Sequence, residues 1–99
     1  MLTFRLENLT LDFENMVFTR DGESLNLSKT EQKLLKILVM NRGRTLSKEQ
    51  LIDRVWETEY VDDHALTVTI KRLRDKLGTT SIKSIYGIGY TWAKGAEME

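Results

Sequence analysis

Apolar positions along this chain change their period twice. From residue 3 to 27 they alternate with polar ones in short runs: Phe4 and Leu6, then Leu9, Leu11 and Phe13, then Val17, then Leu25 and Leu27. Asn8, Glu14-Asn15 and Asp21-Gly22 break these runs, and Asp-Gly between alternating segments is a strong short-range hairpin signal. The pattern predicts an antiparallel sheet of about four short strands with one apolar face. The spacing then becomes helical. Ser28 and Glu31 form a capping-box pair ahead of Leu34, Leu35 and Leu38, and Gly43 stands just past the end of that stripe. Ser47 and Gln50 repeat the signature ahead of Leu51, Ile52, Val55 and Trp56. A third helix, over about residues 62–77, begins at Asp62 or Asp63 and ends at Gly78, with Leu66, Ile70, Leu73 and Leu77 on one face. A short extended piece is expected near Arg44-Leu46. Alternation returns at 82–86 and 90–92 around Gly87-Ile88-Gly89, which predicts a hairpin, and residues 94–99 read as a frayed tail. There is no internal repeat and no linker.

Ninety-nine residues suffice for one domain with one core, and the whole of 1–99 reads as a single mixed α/β unit. The chain has no cysteine, which removes disulfide, thiolate-metal and thiol-catalysis readings and suits a reducing cytoplasm. No apolar run approaches the roughly 18 residues of a membrane span, and no signal-peptide core follows Met1. A cytoplasmic protein without membrane partners is expected.

Net charge is zero, but its distribution is uneven. Residues 1–63 carry a balance of −3, residues 64–94 a balance of +5, and the last five residues −2. The basic third coincides with the third predicted helix and the hairpin, so the local field there is positive. On that helix Thr67, Thr69, Lys71, Arg72 and Arg74 fall outside the leucine stripe. A helix of about 15 residues is roughly 22 Å long and fits the major groove of B-DNA, where Arg, Lys and Thr meet bases and phosphates. The surface points to DNA reading.

An enzyme is not expected: no nucleophile has a base partner, no glycine loop cradles phosphate, and Gly87-Ile88-Gly89 is a turn between strands. His64, the only histidine, has no cysteine or second histidine to make a metal spacing. It reads as a phosphate neighbour or an inert surface residue, and no metal or cofactor is expected. The rival to DNA binding is a module that binds another protein and no DNA, which the acidic first two-thirds would suit.

The order of elements and several strings resemble the effector domain of OmpR/PhoB-type response regulators over nearly the whole chain. The strings are Leu27-Ser28-Lys29-Thr30-Glu31 with Leu34-Leu35, Leu46-Ser47-Lys48-Glu49-Gln50-Leu51-Ile52, Val55-Trp56, the run from Leu66 to Leu77, and Ile85-Tyr86-Gly87-Ile88-Gly89-Tyr90. The resemblance implies an α+β winged helix-turn-helix: a four-stranded N-terminal antiparallel sheet, a three-helix bundle whose third helix reads DNA, and a hairpin wing at 82–92 beside the minor groove. It implies sequence-specific binding of double-stranded promoter DNA and regulation of transcription, with a second copy on a direct repeat. It also implies a receiver domain, absent from this chain, which therefore reads as an excised effector domain, a stand-alone regulator being the alternative. Leu66-Thr67-Val68 before Arg72-Leu73-Arg74 resembles the branch that responds to cell-envelope-active antimicrobials in Gram-positive bacteria.

The resemblance places a base-reading arginine at Arg72, the alternative being a solvated helix charge paired with Asp75 or with the neighbours of Lys76. Thr67 and Thr69 are candidates for thymine methyls or phosphates, or are inert. Lys71, Arg74 and Lys83 are phosphate candidates, Arg74 alternatively forming a salt bridge with a carboxylate of the second helix. Ser47 and Lys48 open the second helix, whose N-terminus can hold a phosphate. Ser84, His64 and Trp56 complete the backbone-contact set. In the wing (Tyr86, Gly87, Ile88, Gly89) the family's minor-groove arginine is replaced by Tyr86, which brings no positive charge. The loop Glu57-Thr58-Glu59-Tyr60, about one residue shorter than in well-known relatives, corresponds to the family's contact with RNA polymerase.

Overall fold

The structure, a computed structural model, describes residues 3–78, 81–93 and 97–98. An antiparallel meander comes first: β1 (Thr3–Leu6), β2 (Leu9–Asp12), β3 (Val17–Arg20) and β4 (Glu23–Ser24). Leu6 pairs with Leu9, so Glu7 and Asn8 alone make the first turn. Asp21 and Gly22 both take positive φ, 52° and 80°, which gives the two-residue turn whose twist matches that of the flanking strands. Alternation puts Phe4, Leu9, Leu11 and Phe18 on the buried face, and Phe13 packs edge-on against Phe4 and Phe18.

Three helices follow and share one core with that face. The Ser28 hydroxyl accepts from the Glu31 N–H while the Glu31 carboxylate accepts from the Ser28 N–H, opening α1 (Lys29–Met40). Ser47 and Gln50 make the same reciprocal pair at α2 (Lys48–Val55). Asp62 caps α3 (Asp63–Leu77), and Gly78 closes it in the left-handed region at φ 65°. Leu34, Leu35, Leu38, Leu51, Val55, Leu66, Ile70, Leu73 and Leu77 form the shared core, with Ile52 and Trp56 partly buried against it.

A second sheet is built from β5 (Thr45–Ser47), β6 (Ile82–Ile85) and β7 (Gly89–Trp92), ordered β5-β7-β6. The extended piece expected at Arg44-Leu46 is β5, displaced by one residue. Gly89 lies so close to the Leu46 carbonyl that an added Cβ would fall 1.9 Å from its oxygen. Only glycine lets β5 and β7 approach in this way.

One sequence expectation is corrected. The tail read as frayed returns as β8 (Glu97–Met98), antiparallel to β1 with Phe4 opposite Met98 and Arg5 opposite Glu97. The N-terminal four strands thus gain a fifth, in the order β4-β3-β2-β1-β8. The outer edge of β1 would otherwise present unpaired N–H and C=O groups, and a two-residue pairing leaves no period to read in the sequence. The rest of the tail lies outside the described residues.

Candidate nucleic-acid interface

On α3 the leucine stripe faces inward and leaves one surface for chemistry. Arg72 is exposed and makes no hydrogen bond or ion pair among the described residues. Asp75, the partner weighed for it, accepts instead from Lys71 at 3.2 Å, one turn back on the helix. Both members of that pair are largely exposed, so it is weak and easily exchanged for another anion. Thr67 is exposed with its hydroxyl donating to the Asp63 carbonyl at 3.1 Å, and His64 is exposed in the first turn.

Thr69 is a correction. It is 8 % exposed, and its hydroxyl donates to the Ala65 carbonyl at 2.8 Å. Residue 69 lies three after Leu66 and four before Leu73, on the edge of the buried stripe, so it is not part of the hydroxyl surface expected there. It instead helps line a cleft with Ser28, Thr30, Trp56, Val68 and Arg72, formed between the start of α1, the end of α2 and α3. Thr30 and Val68 were not singled out from sequence. Val68, a half-exposed apolar residue outside the leucine stripe, is the signal that was available.

Beneath this cleft lies Glu31, 4 % exposed, accepting from the Lys76 ammonium at 2.6 Å as well as from the Ser28 N–H. Lys76 also donates to the Asn26 carbonyl at 3.0 Å. Burial alone would raise the Glu31 carboxyl. The Lys76 hydrogen bond, the Ser28 N–H and the charges of Lys76 and Arg72 outweigh it and hold the group below its ordinary value. The contact pins the last turn of α3 to the first turn of α1.

Arg74 has internal partners, and they are not the α2 carboxylate expected. Its Nε and Nη2 donate to the Ile82 carbonyl at 3.2 and 3.0 Å, and Nη2 also donates to Ser84 Oγ at 2.9 Å. Its guanidinium carbon stands 5.7 Å from the centre of the Tyr90 ring, within cation–π range. No carboxylate of α2 is involved. The side chain clasps the wing to α3, and the Ser84 hydroxyl offered for DNA contact is its acceptor.

At the wing tip Ile88 N–H donates to the Ile85 carbonyl at 3.0 Å, closing a four-residue turn with Gly87 at φ 72°. Tyr86 is fully exposed, Ile88 is 54 % exposed, and Lys83 is exposed on β6. The start of α2 abuts this hairpin. Lys48 N–H donates to the Ile88 carbonyl at 3.2 Å, and Gln50 N–H is taken by Ser47 Oγ. Two N–H groups of the helix start are therefore already used, while the Lys48 side chain projects as an exposed cation. Trp56 is half-buried at the C-cap of α2. Glu57, Thr58, Glu59 and Tyr60 are all exposed, Tyr60 at 96 %.

The geometry thus brings Arg72, Lys71, Thr67 and His64 together on α3, with Arg74 joining that helix to a wing carrying Lys83 and Tyr86. No described helix is long and apolar enough to cross a membrane. Residues 22–92 match the family model "Transcriptional regulatory protein, C terminal". The chain is 41 % identical over 88 residues to the regulatory protein VanRB of Enterococcus faecalis, covering 88 % of this chain and 40 % of that protein. It therefore spans about two fifths of the length of the curated relatives it matches. Among solved structures it resembles the DNA-binding domain of Klebsiella pneumoniae RstA, which was determined in complex with the RstA box. That match has a TM-score of 0.78 and 28 % identity, and covers 92 % of this chain and 96 % of that one. It also resembles the C-terminal domain of the nisin resistance regulator NsrR, a lantibiotic response regulator, with a TM-score of 0.72 and 33 % identity over 89 % of this chain and 93 % of that one. By its family match, its winged-helix architecture and its basic helix-and-wing surface, the chain belongs to the OmpR/PhoB-type family of transcriptional regulatory C-terminal domains, the DNA-binding output modules of response regulators.

Proposed function

We propose that this chain reads a specific promoter sequence by laying α3 in the major groove and the hairpin of β6 and β7 beside the adjacent minor groove. The observation that carries this reading is Arg72: an exposed guanidinium without a hydrogen-bond or ion-pair partner among the described residues, on the outward face of a helix of groove-fitting length. A free guanidinium matches guanine O6 and N7 with two parallel donors. Lys71, Lys83 and Lys48 supply phosphate contacts that position without specifying, and Lys71 exchanges Asp75 for a phosphate. Val68 stands beside Arg72 as the apolar partner suited to a thymine methyl. Tyr86 packs against sugar where the family has a charged side chain, so the wing contributes shape more than electrostatic attraction.

Two copies side by side on a direct repeat, with a receiver domain in the longer protein, complete the reading. The family match and the length of the relatives support it. The likeness to NsrR supports a parent regulator in the branch that answers cell-envelope-active antimicrobials.

The test is binding to random duplex DNA across a salt series, followed by selection from a randomised duplex library. Log affinity is expected to fall against log salt with a slope of about 0.9 per neutralised phosphate, and a direct repeat is expected to enrich. Flat, negligible binding with no enriched sequence rejects the reading.

A further inference from the structure

A groove of about 320 Å³ lies between α1 and the turn joining β2 to β3, on a face the DNA reading does not use. Phe13 and Met16 line it, and Lys29, Lys33 and Lys36 surround it. These lysines follow the i, i+4, i+7 spacing of one helical face. All three are exposed and make no hydrogen bond or ion pair among the described residues. Met16 and Val17, at 55 % and 47 % exposure, extend the apolar surface beyond the groove. An apolar recess ringed by unpaired cations fits a partner segment with the opposite character: one hydrophobic anchor flanked by carboxylates.

The chain carries such a segment. Between α2 and α3, Glu57 and Glu59 stand beside Tyr60, which is almost fully exposed, and none of the three side chains has an internal partner among the described residues. A tyrosine is a rigid anchor of low conformational cost, and the recess has room for one aromatic ring. We propose that this groove receives the Glu57–Tyr60 loop of a second copy of the chain, with Tyr60 in the recess and Glu57 and Glu59 against Lys29, Lys33 and Lys36. The inference rests on the two-copy reading above and names the surfaces that meet. A loop-to-groove contact uses different patches on the two copies, which is the geometry a direct repeat demands. The patch is small, so the contact is transient between free chains, where a cross-linker traps it, and is strengthened when DNA holds two copies at high effective concentration.

Because the chain has no cysteine, the contact can be mapped by single-site cross-linking. Thr58→Cys and Val17→Cys chains, which keep Tyr60 and Met16, are mixed at low salt with a short bis-maleimide. Several-fold more cross-linked dimer is expected from the mixture than from either chain alone. That gain should vanish with Tyr60→Ser in the Thr58→Cys chain, or with Lys29→Glu/Lys33→Glu/Lys36→Glu in the Val17→Cys chain. A mixture yielding no more than the separate chains overturns the proposal, whether or not the chain binds DNA. On a duplex carrying two enriched sites, Lys33→Glu and Glu59→Lys should each lower cooperativity several-fold with single-site affinity unchanged. The charge-reversed chain Lys29→Glu/Lys33→Glu/Glu57→Lys/Glu59→Lys should restore it. Cooperativity that ignores these changes places the contact between copies elsewhere and leaves the acidic loop to a polymerase. Enrichment of a single site bound by one copy removes the two-copy reading itself.

Discussion

Arg74 on α3 holds the carbonyl oxygen of Ile82 on β6 with two donors, at 3.2 and 3.0 Å, and reaches Ser84 Oγ with the same Nη2. The helix proposed to read bases and the hairpin proposed to flank the minor groove are thereby fastened to each other by one side chain. Their relative placement is then a property of the protein before DNA arrives, and less ordering has to occur on binding.

Arg74→Ala should lower stability by about 1–3 kcal/mol, because it removes hydrogen bonds from a charged donor and leaves the Ile82 carbonyl unmatched. Thermal unfolding reads this directly. DNA affinity should fall on all sequences, with loss of minor-groove protection in footprints before loss in the major groove. A simultaneous, proportional loss in both grooves would give Arg74 no part in placing the wing. Arg74→Lys should recover only part of the effect, since an ammonium cannot grip one carbonyl with two parallel donors.

Arg72→Ala should change unfolding only slightly, because the side chain has no hydrogen-bond or ion-pair partner among the described residues and adds only its charge to the field at Glu31. On the enriched site it should cost about 1–3 kcal/mol and relax discrimination at one base pair. Competition against random duplex makes the distinction: equal losses on both would move Arg72 into the phosphate-contacting set.

Glu31 links stability to pH. Its carboxyl is held below an ordinary value of 4.5 in the folded chain. The unfolded chain therefore takes up this proton first as pH falls, and folding is favoured fully above about 4.5. That contribution is lost as pH drops through the lower folded value. Glu31→Gln should cost about 1–3 kcal/mol at neutral pH through the lost charged hydrogen bond to Lys76, and should flatten the decline in stability below 4.5. An acid profile identical to that of the unaltered chain would assign the decline to other carboxylates.

Tyr86→Arg should tighten binding to sites with A·T-rich flanks, where the narrow minor groove concentrates negative potential. The salt slope should steepen by about one contact's worth, roughly 0.9. Unchanged affinity and slope would place the wing tip outside the groove.

Much of the frame is legible in local sequence. Ser28 with Glu31, Ser47 with Gln50, Asp62 and Gly78 mark helix ends because capping is settled within a turn. Asp21-Gly22 marks a hairpin because its backbone must adopt positive φ. The leucine spacing of α3 likewise marks most of the residues that lie inside, and Arg72 and Lys71 are found exposed where that spacing leaves them.

The features that were not legible all depend on partners distant in sequence. Thr69 looked like surface, yet packing of α1 and α2 widens the buried stripe beyond its leucines. Arg74 looked, within the protein, like a partner for an α2 carboxylate, but hairpin docking brings the Ile82 carbonyl within its reach. Glu31 looked like a cap alone, but Lys76, 45 positions on, shares its carboxylate. The tail carried no pattern, and β8 forms because the edge of β1 offers it unpaired groups. The sequence by itself determined the three helices with their caps, the hairpins and the basic surface of α3, since those follow from backbone preference and period over a few residues. The tertiary structure alone decided which charges remain free for a ligand and which are spent internally, because hydrogen bonds and ion pairs form only between groups that folding brings within about 3 Å.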